Sequence, residues 1–222
     1  MGVSSLNLGR VQHGPSSFRQ ADLGEDAIEI IHKETVWHGF FRVDRYRLRH
    51  RLFSGAWSAE MSREVLERGS AAAVVPYDPV RDAVVLIEQF RLPAYLAGFA
   101  AWQIEIVAGI IAPGSEDAAV ARRETAEETG LAVIGELLPI HRFLTSPGGT
   151  TESISLFCGR VDVRDAGGIH GLAAEHEDIR VLVRSYTEAM AMVEAGRIDN
   201  GIALLALHWL ARNRDDLRRR WG

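Results

Sequence analysis

Five acidic residues, Glu116, Asp117, Glu124, Glu127 and Glu128, fall within one run, 109–131 (GIIAPGSEDAAVARRETAEETGL). The run otherwise reads as one short helix. Glu124 and Glu128 are spaced i,i+4, where like charges destabilise an isolated helix. A fold that keeps them together needs positive charge set against them. Carboxylate oxygens are hard ligands that suit Mg²⁺, an ion that keeps several waters and bridges to phosphates. A helical residue turns the chain by about 100°, so Glu128 lies within about 40° of Glu124 and Glu127 about 60° to the other side. The three carboxylates share one face. Arg123 precedes Glu127 by one helical turn and can pair with it. Ser115 is the expected N-cap, with Glu116 and Asp117 in the positive first turn. Gly130 suits the left-handed position that ends a helix. A solvated acidic face balanced by Arg122 and Arg123 is the plainer reading of the same residues.

Composition narrows the class. A chain of 222 residues suits one domain, or one domain with an appended segment, and can bury a real core. A net charge of −5 offers no broad basic surface for nucleic acid. Cys158 is the only cysteine, so no intrachain disulfide can form and a reducing cytoplasm is expected. No apolar run is long enough to span a membrane. The start of the chain lacks the apolar core of a secretory signal, and residues 1–25 are expected to form a flexible tail.

Alternating apolar and polar residues predict strands over 27–33, 35–50 and 56–67. Buried strands are expected at 71–75 and 83–89, flanking the turn 77–82. The segment 102–108 leads towards the acidic helix. Strands follow at 137–143 and 153–163, then a Gly-rich loop at 165–178 and a last strand at 179–183. Helices are expected at about 186–195 and 201–218. Mixed strands with few helices indicate an α+β or α/β sandwich.

Gly109, Arg123, Glu124, Glu127, Glu128, Gly130 and Leu131 fall in register with the signature box of the Nudix hydrolases, which this chain resembles. Two positions depart from the box. Ser115 stands where the family has its first Glu, and Thr125 where a small aliphatic residue is usual. The segment SPGGTTE (146–152), with a proline sixteen residues after the box, resembles the bacterial ADP-ribose pyrophosphatase branch. So do RHRLFSG (49–55), ERGSAAAVVPYDPVRD (67–82), VVLIEQFR (84–91), GIHGLAAEHEDIRV (168–181) and RIDNGIALLALHWL (197–210).

The resemblance implies an α+β Nudix fold, a mixed β-sheet sandwiched between helices, with an N-terminal antiparallel β region. It implies a β-rich segment, 26–70, that pairs two chains into a homodimer, and a hydrolase domain over 71–222. The reaction implied is Mg²⁺-dependent hydrolysis of ADP-ribose to AMP and ribose 5-phosphate, with Mn²⁺ a possible substitute. A related hydrolase of ADP-glucose or GDP-mannose, and a non-catalytic nucleotide sensor, are the alternatives. Glu124 and Glu128 are the implied metal ligands, with the carbonyl of Ala108 and, as a ligand or close neighbour, Glu127. The general base is implied in the 170–178 loop, at Glu175 or Glu177. Substrate binding is implied for Arg63, Glu64, Arg91, Ser146 and Glu152, with Phe40 stacking on adenine. For Phe40 a buried strand position is the rival reading. Glu175 and Glu177 would otherwise pass for a polar surface loop. Mobile loops commonly carry catalytic groups to a rigid scaffold.

Overall fold

A computed structural model of the chain describes residues 25–222. The tail expected over 1–25 lies outside the described residues, apart from Glu25, which opens a 3₁₀ turn, Glu25–Ala27. By internal contacts the described residues form two compact units, one of the residues up to 38 with 43–65, the other of 39–42 with 66–222.

The smaller unit is built on a three-stranded sheet in the order β1-β2-β3, with β1 Ile28–His38, β2 Arg42–His50 and β3 Met61–Glu67. The strand expected over 35–50 is broken at Gly39, where β1 turns into β2. The strand expected to begin at 56 begins at Met61. Arg45 on β2 meets Glu34 of β1 at 3.2 Å and Glu64 of β3 at 2.8 Å, so one guanidinium ties three strands. Every residue of β1 is exposed.

The larger unit carries the core. Its strands are β4 Ala71–Asp78, β5 Ala83–Phe90, β6 Trp102–Glu105, β7 Val107–Ile110, β8 Ile134–Leu144, β9 Ser153–Arg160, β10 Ile169–His170 and β11 Ile179–Ser185. Its helices are α1 Leu92–Leu96, α2 Asp117–Thr129, α3 Tyr186–Glu194 and α4 Gly201–Trp221. The main sheet runs β10-β11-β5-β4-β9-β8, with β6 on β5 and β7 on β4. β4 and β9 are parallel, while β4–β7, β5–β11 and β8–β9 are antiparallel, so the sheet is mixed.

Period-two alternation divides β4 between two cores. Ala73, Val75 and Tyr77 pack with Ala203, Ala206, Leu207 and Leu210 of α4. Ala72 and Val74 face the other way, with Val120 and Ala121 of α2. Helices therefore cover both faces, as expected. β4 is buried along its whole length, which explains its continuous apolar run.

Three local expectations need correction. α2 starts at Asp117, and its N-cap is Glu116 rather than Ser115. Ser155 of β9 donates to the Asp117 carboxylate at 2.5 Å, which anchors the first turn to the sheet. The loop at 165–178 contains the short strand β10 and a 3₁₀ turn, Ala173–Glu175. Helix α1 was not foreseen. It has five residues with proline in its first turn, too short for a periodic signal.

Candidate active site

The acidic face of α2 meets the strand β7, which pairs with β4 so that Ala108 stands opposite Ala73. The backbone N–H of Ala108 donates to Glu128 Oε2 at 3.2 Å. Glu128 is 3 % exposed. Gly109 makes room for Glu124, since a Cβ at Gly109 would lie 1.8 Å from Glu124 Oε1. The glycine of the box is thus the space into which the carboxylate fits.

Arg123 pairs with both Glu124 and Glu127, the second as an i,i+4 contact like the one predicted. The helix ends as expected at Gly130, with φ 70°. Thr125, unusual for the box, is fully buried and donates its hydroxyl to the Ala121 carbonyl at 2.7 Å. That bond satisfies a polar group on the core side of the helix.

Glu124 and Glu128 open into a cavity of about 480 Å³ whose walls also carry Arg68, Arg91, Glu152 and Glu177. Burial pushes the Glu128 carboxyl up to about 9, with the charges of Glu124 and Glu177 adding to the rise and the Ala108 N–H opposing it. Glu124 is raised as well, by burial and then by Glu127 and Glu177 against the pull of Arg123. These acids are crowded together with too little positive charge. Among the described residues, no three His, Cys, Asp or Glu side chains are already gathered as an ion cage. Arg123 occupies Glu124 and Glu127 instead. A hard divalent cation fits this donor set, because the glycine-lined recess, the buried carboxyl and the crowded acids all favour added positive charge.

Arg91, exposed at the end of β5, donates Nε and Nη2 to the two oxygens of Glu105 at 3.0 and 2.9 Å. Its guanidinium keeps further N–H groups for another anion. Glu152 is 8 % exposed; it accepts from Thr145 at 2.7 Å and pairs with Arg68 at 3.1 Å. Glu177 faces the cavity but also accepts from the Leu172 N–H at 3.1 Å. Glu175 closes the 3₁₀ turn beside it.

Ala108, Glu124, Glu128, Arg91, Glu152 and Glu177 are therefore brought together on one cavity wall. Glu127 stands behind Arg123 and does not line it. Neither does Ser146, whose carbonyl caps the turn through Gly149 and Thr150. Phe40 is 87 % exposed in the β1–β2 turn, edge-on to Phe41, so the buried reading fails. Arg63 and Glu64 are exposed on β3 in the smaller unit. Arg68 and Glu105 were missed as site residues. Arg68 had a signal in sequence, a lone cation just before a fully apolar strand, whereas Glu105 had none beyond its place in an apolar segment.

The NUDIX domain family model matches residues 67–200. The ADP-ribose pyrophosphatase of Escherichia coli (strain K12) is 50% identical over 199 residues, covering 90% of this chain and 95% of that one. That of Haemophilus influenzae is 40% identical over 217 residues, covering 96% and 95%. The GDP-mannose pyrophosphatase of Yersinia pestis is 33% identical over 187 residues, covering 82% and 90%. A crystal structure of an ADP compounds hydrolase shares the fold, with a TM-score of 0.63 at 20% identity over 88% of this chain and 96% of its own.

Proposed function

Since this chain belongs to the NUDIX family, we propose that it is a divalent-metal-dependent hydrolase that splits the diphosphate of ADP-ribose into AMP and ribose 5-phosphate. The observation that carries this reading is the cation-poor cluster of Glu124, Glu128 and Glu177 on a wall shared with Arg91 and Arg68. The 50% identity to an ADP-ribose pyrophosphatase over most of both chains supports the substrate.

Glu124, Glu128 and the Ala108 carbonyl would hold Mg²⁺ or Mn²⁺, with Glu127 released from Arg123 as a further ligand or neighbour. A bound ion of this kind neutralises diphosphate charge and lowers the pKa of a water. Arg91, steadied by Glu105, meets a phosphate oxygen with its remaining N–H groups. Glu152, held by its ion pair with Arg68, meets the sugar side of the substrate in this reading. Glu175 or Glu177 takes the proton of the attacking water, since both stand on the short loop that borders the cavity. Phe40, Arg63, Glu64 and Ser146, none of which lines this cavity, are the further substrate-binding residues of this reading.

A second copy of the chain covers the exposed strand β1, whose Ile28, Ile30 and Trp37 are 59%, 59% and 64% exposed. The homodimer so formed is isologous and brings the N-terminal sheets together. The buried single cysteine agrees with a cytoplasmic enzyme. No helix among the described residues is long and apolar enough to cross a membrane.

The test is AMP release from ADP-ribose with Mg²⁺, and its loss with a chelator. Faster turnover of GDP-mannose or ADP-glucose would move the substrate assignment, a reading kept open by the Yersinia relative. No turnover of any diphosphate sugar would end the proposal. Sedimentation of a monomer at micromolar concentration would end the dimer.

A further inference from the structure

His170 ends the short strand β10, just before the loop that bears Glu175 and Glu177. Its Nε2 lies 2.8 Å from the Gly167 carbonyl. A carbonyl only accepts, so Nε2 carries the proton and donates. The ring then rests on the C-terminal end of α2. A Cβ at Gly130 would lie 2.8 Å from His170 Cε1, and at φ 70° a side chain there would be strained as well. Gly130 thus serves twice, as the left-handed end of the helix and as the floor under the imidazole.

The next residue makes a second tie. Gly171 N–H donates to the Glu127 carbonyl at 3.4 Å. From there the chain closes on itself, since Glu177 N–H donates to the Leu172 carbonyl at 3.2 Å and Leu172 N–H to Glu177 Oε2 at 3.1 Å. A side chain at Gly171 would strike Glu177 Cβ at 2.7 Å. The loop bearing Glu175 and Glu177 is therefore a small closed unit with its root pinned to the helix that bears Glu124 and Glu128. Its far end is held separately, by the fully buried Ile179 of β11.

We propose that His170 is a positioning residue whose ring, seated on Gly130, sets the distance between the Glu175–Glu177 loop and the carboxylates of α2. The inference rests on the hydrolase reading for its kinetic consequence but not for its structural one. A misplacement of about 1 Å can cost about 100-fold in rate. A loop cut from one of its two ties to α2 shifts by that order while the core stays intact.

The experiment compares wild type with His170→Ala, His170→Gln and Gly130→Ala, all as full-length protein. Three quantities are read: kcat and KM for ADP-ribose with Mg²⁺, amide hydrogen exchange, and Tm. His170→Ala should lower kcat by about 10- to 100-fold with KM changed far less. Exchange should quicken at Gly171, Leu172 and Glu177, while the amides of Val120 to Thr125 stay protected. His170→Gln, which can still donate to the Gly167 carbonyl, should recover part of the rate. Gly130→Ala should reproduce the exchange pattern from the other side of the contact. A His170→Ala rate within twofold of wild type overturns the proposal. So does faster exchange throughout α2, which would mark His170 as a general stabiliser. If wild type hydrolyses nothing, the hydrolase reading fails, and the exchange pattern still decides the role of His170.

Discussion

Two acid–base clusters in the larger unit are built from similar residues and behave in opposite ways. At the turn between β4 and β5, Asp82 accepts from the Tyr77 hydroxyl at 2.7 Å and from Arg214 Nε of α4 at 2.7 Å. Arg214, then Tyr77, holds the Asp82 carboxyl below the ordinary carboxylate range. On α2, where it faces β7, Glu128 is pushed up to about 9, by burial first and by neighbouring acids next. One cluster is satisfied by its own chain and locks a helix to a hairpin. The other is short of positive charge, with Arg123 and Arg91 too few for the acids present. Charge left unbalanced inside a fold marks a place where something else is meant to bind.

The largest effect should come from Glu128→Gln. It should lower kcat by about 1000-fold or more, and Mg²⁺ should raise Tm less than it does in wild type. The metal-free variant should melt at or above the wild-type temperature, because the change removes an acid whose raised pKa costs stability at neutral pH. A clearly lower Tm would mean that the two clusters are alike after all.

Gly109→Ala comes next. The new methyl must push the end of the Glu124 side chain aside. Because that end is flexible, stability should change little, whereas kcat should fall about 10- to 100-fold. Normal kinetics would remove Glu124 from the site.

Arg214→Ala probes the other cluster. It leaves Asp82 and the fully buried Tyr77 without their cation, and should cost about 1–2 kcal/mol after allowance for partial exposure. That corresponds to a Tm lower by a few degrees in a chain of this size, with kcat unchanged below the melting range. A loss of kcat at full folding would show that the hairpin is coupled to the site.

The smallest effect is in pH. The folded pKa of Asp82 is depressed, so its stabilisation is fully present above the ordinary carboxylate value, about 4. It is lost as pH falls through the lower folded value. The Tm gap between wild type and Arg214→Ala should therefore be constant from pH 5 to 7 and narrow below pH 4. A gap that persists at pH 3 would show that Arg214 acts by packing on Tyr186, over whose ring its guanidinium sits at 4.6 Å.

Local signals in the chain are legible where a single element carries them. The acidic face of α2, the Arg123–Glu127 pair and the left-handed Gly130 all follow from helical spacing, which depends on nothing outside the helix. The buried runs in β4 and β5 followed from their composition. Boundaries shifted where a distant group intervened, as when Ser155 took Asp117 and α2 began one residue late. The pairs Arg91–Glu105 and Arg68–Glu152 were invisible, because their members lie on different elements.

Order along the chain, the turn of a helix and the alternation of a strand are properties of neighbouring residues. They determined the box, the sandwich class and the acids that face one way. Whether those acids are neutralised, buried or crowded depends on what the fold sets opposite them across many residues. Only the tertiary structure placed Gly109 beneath Glu124, Glu177 across from Glu128 and His170 on Gly130, because desolvation and charge proximity are set by distance in space.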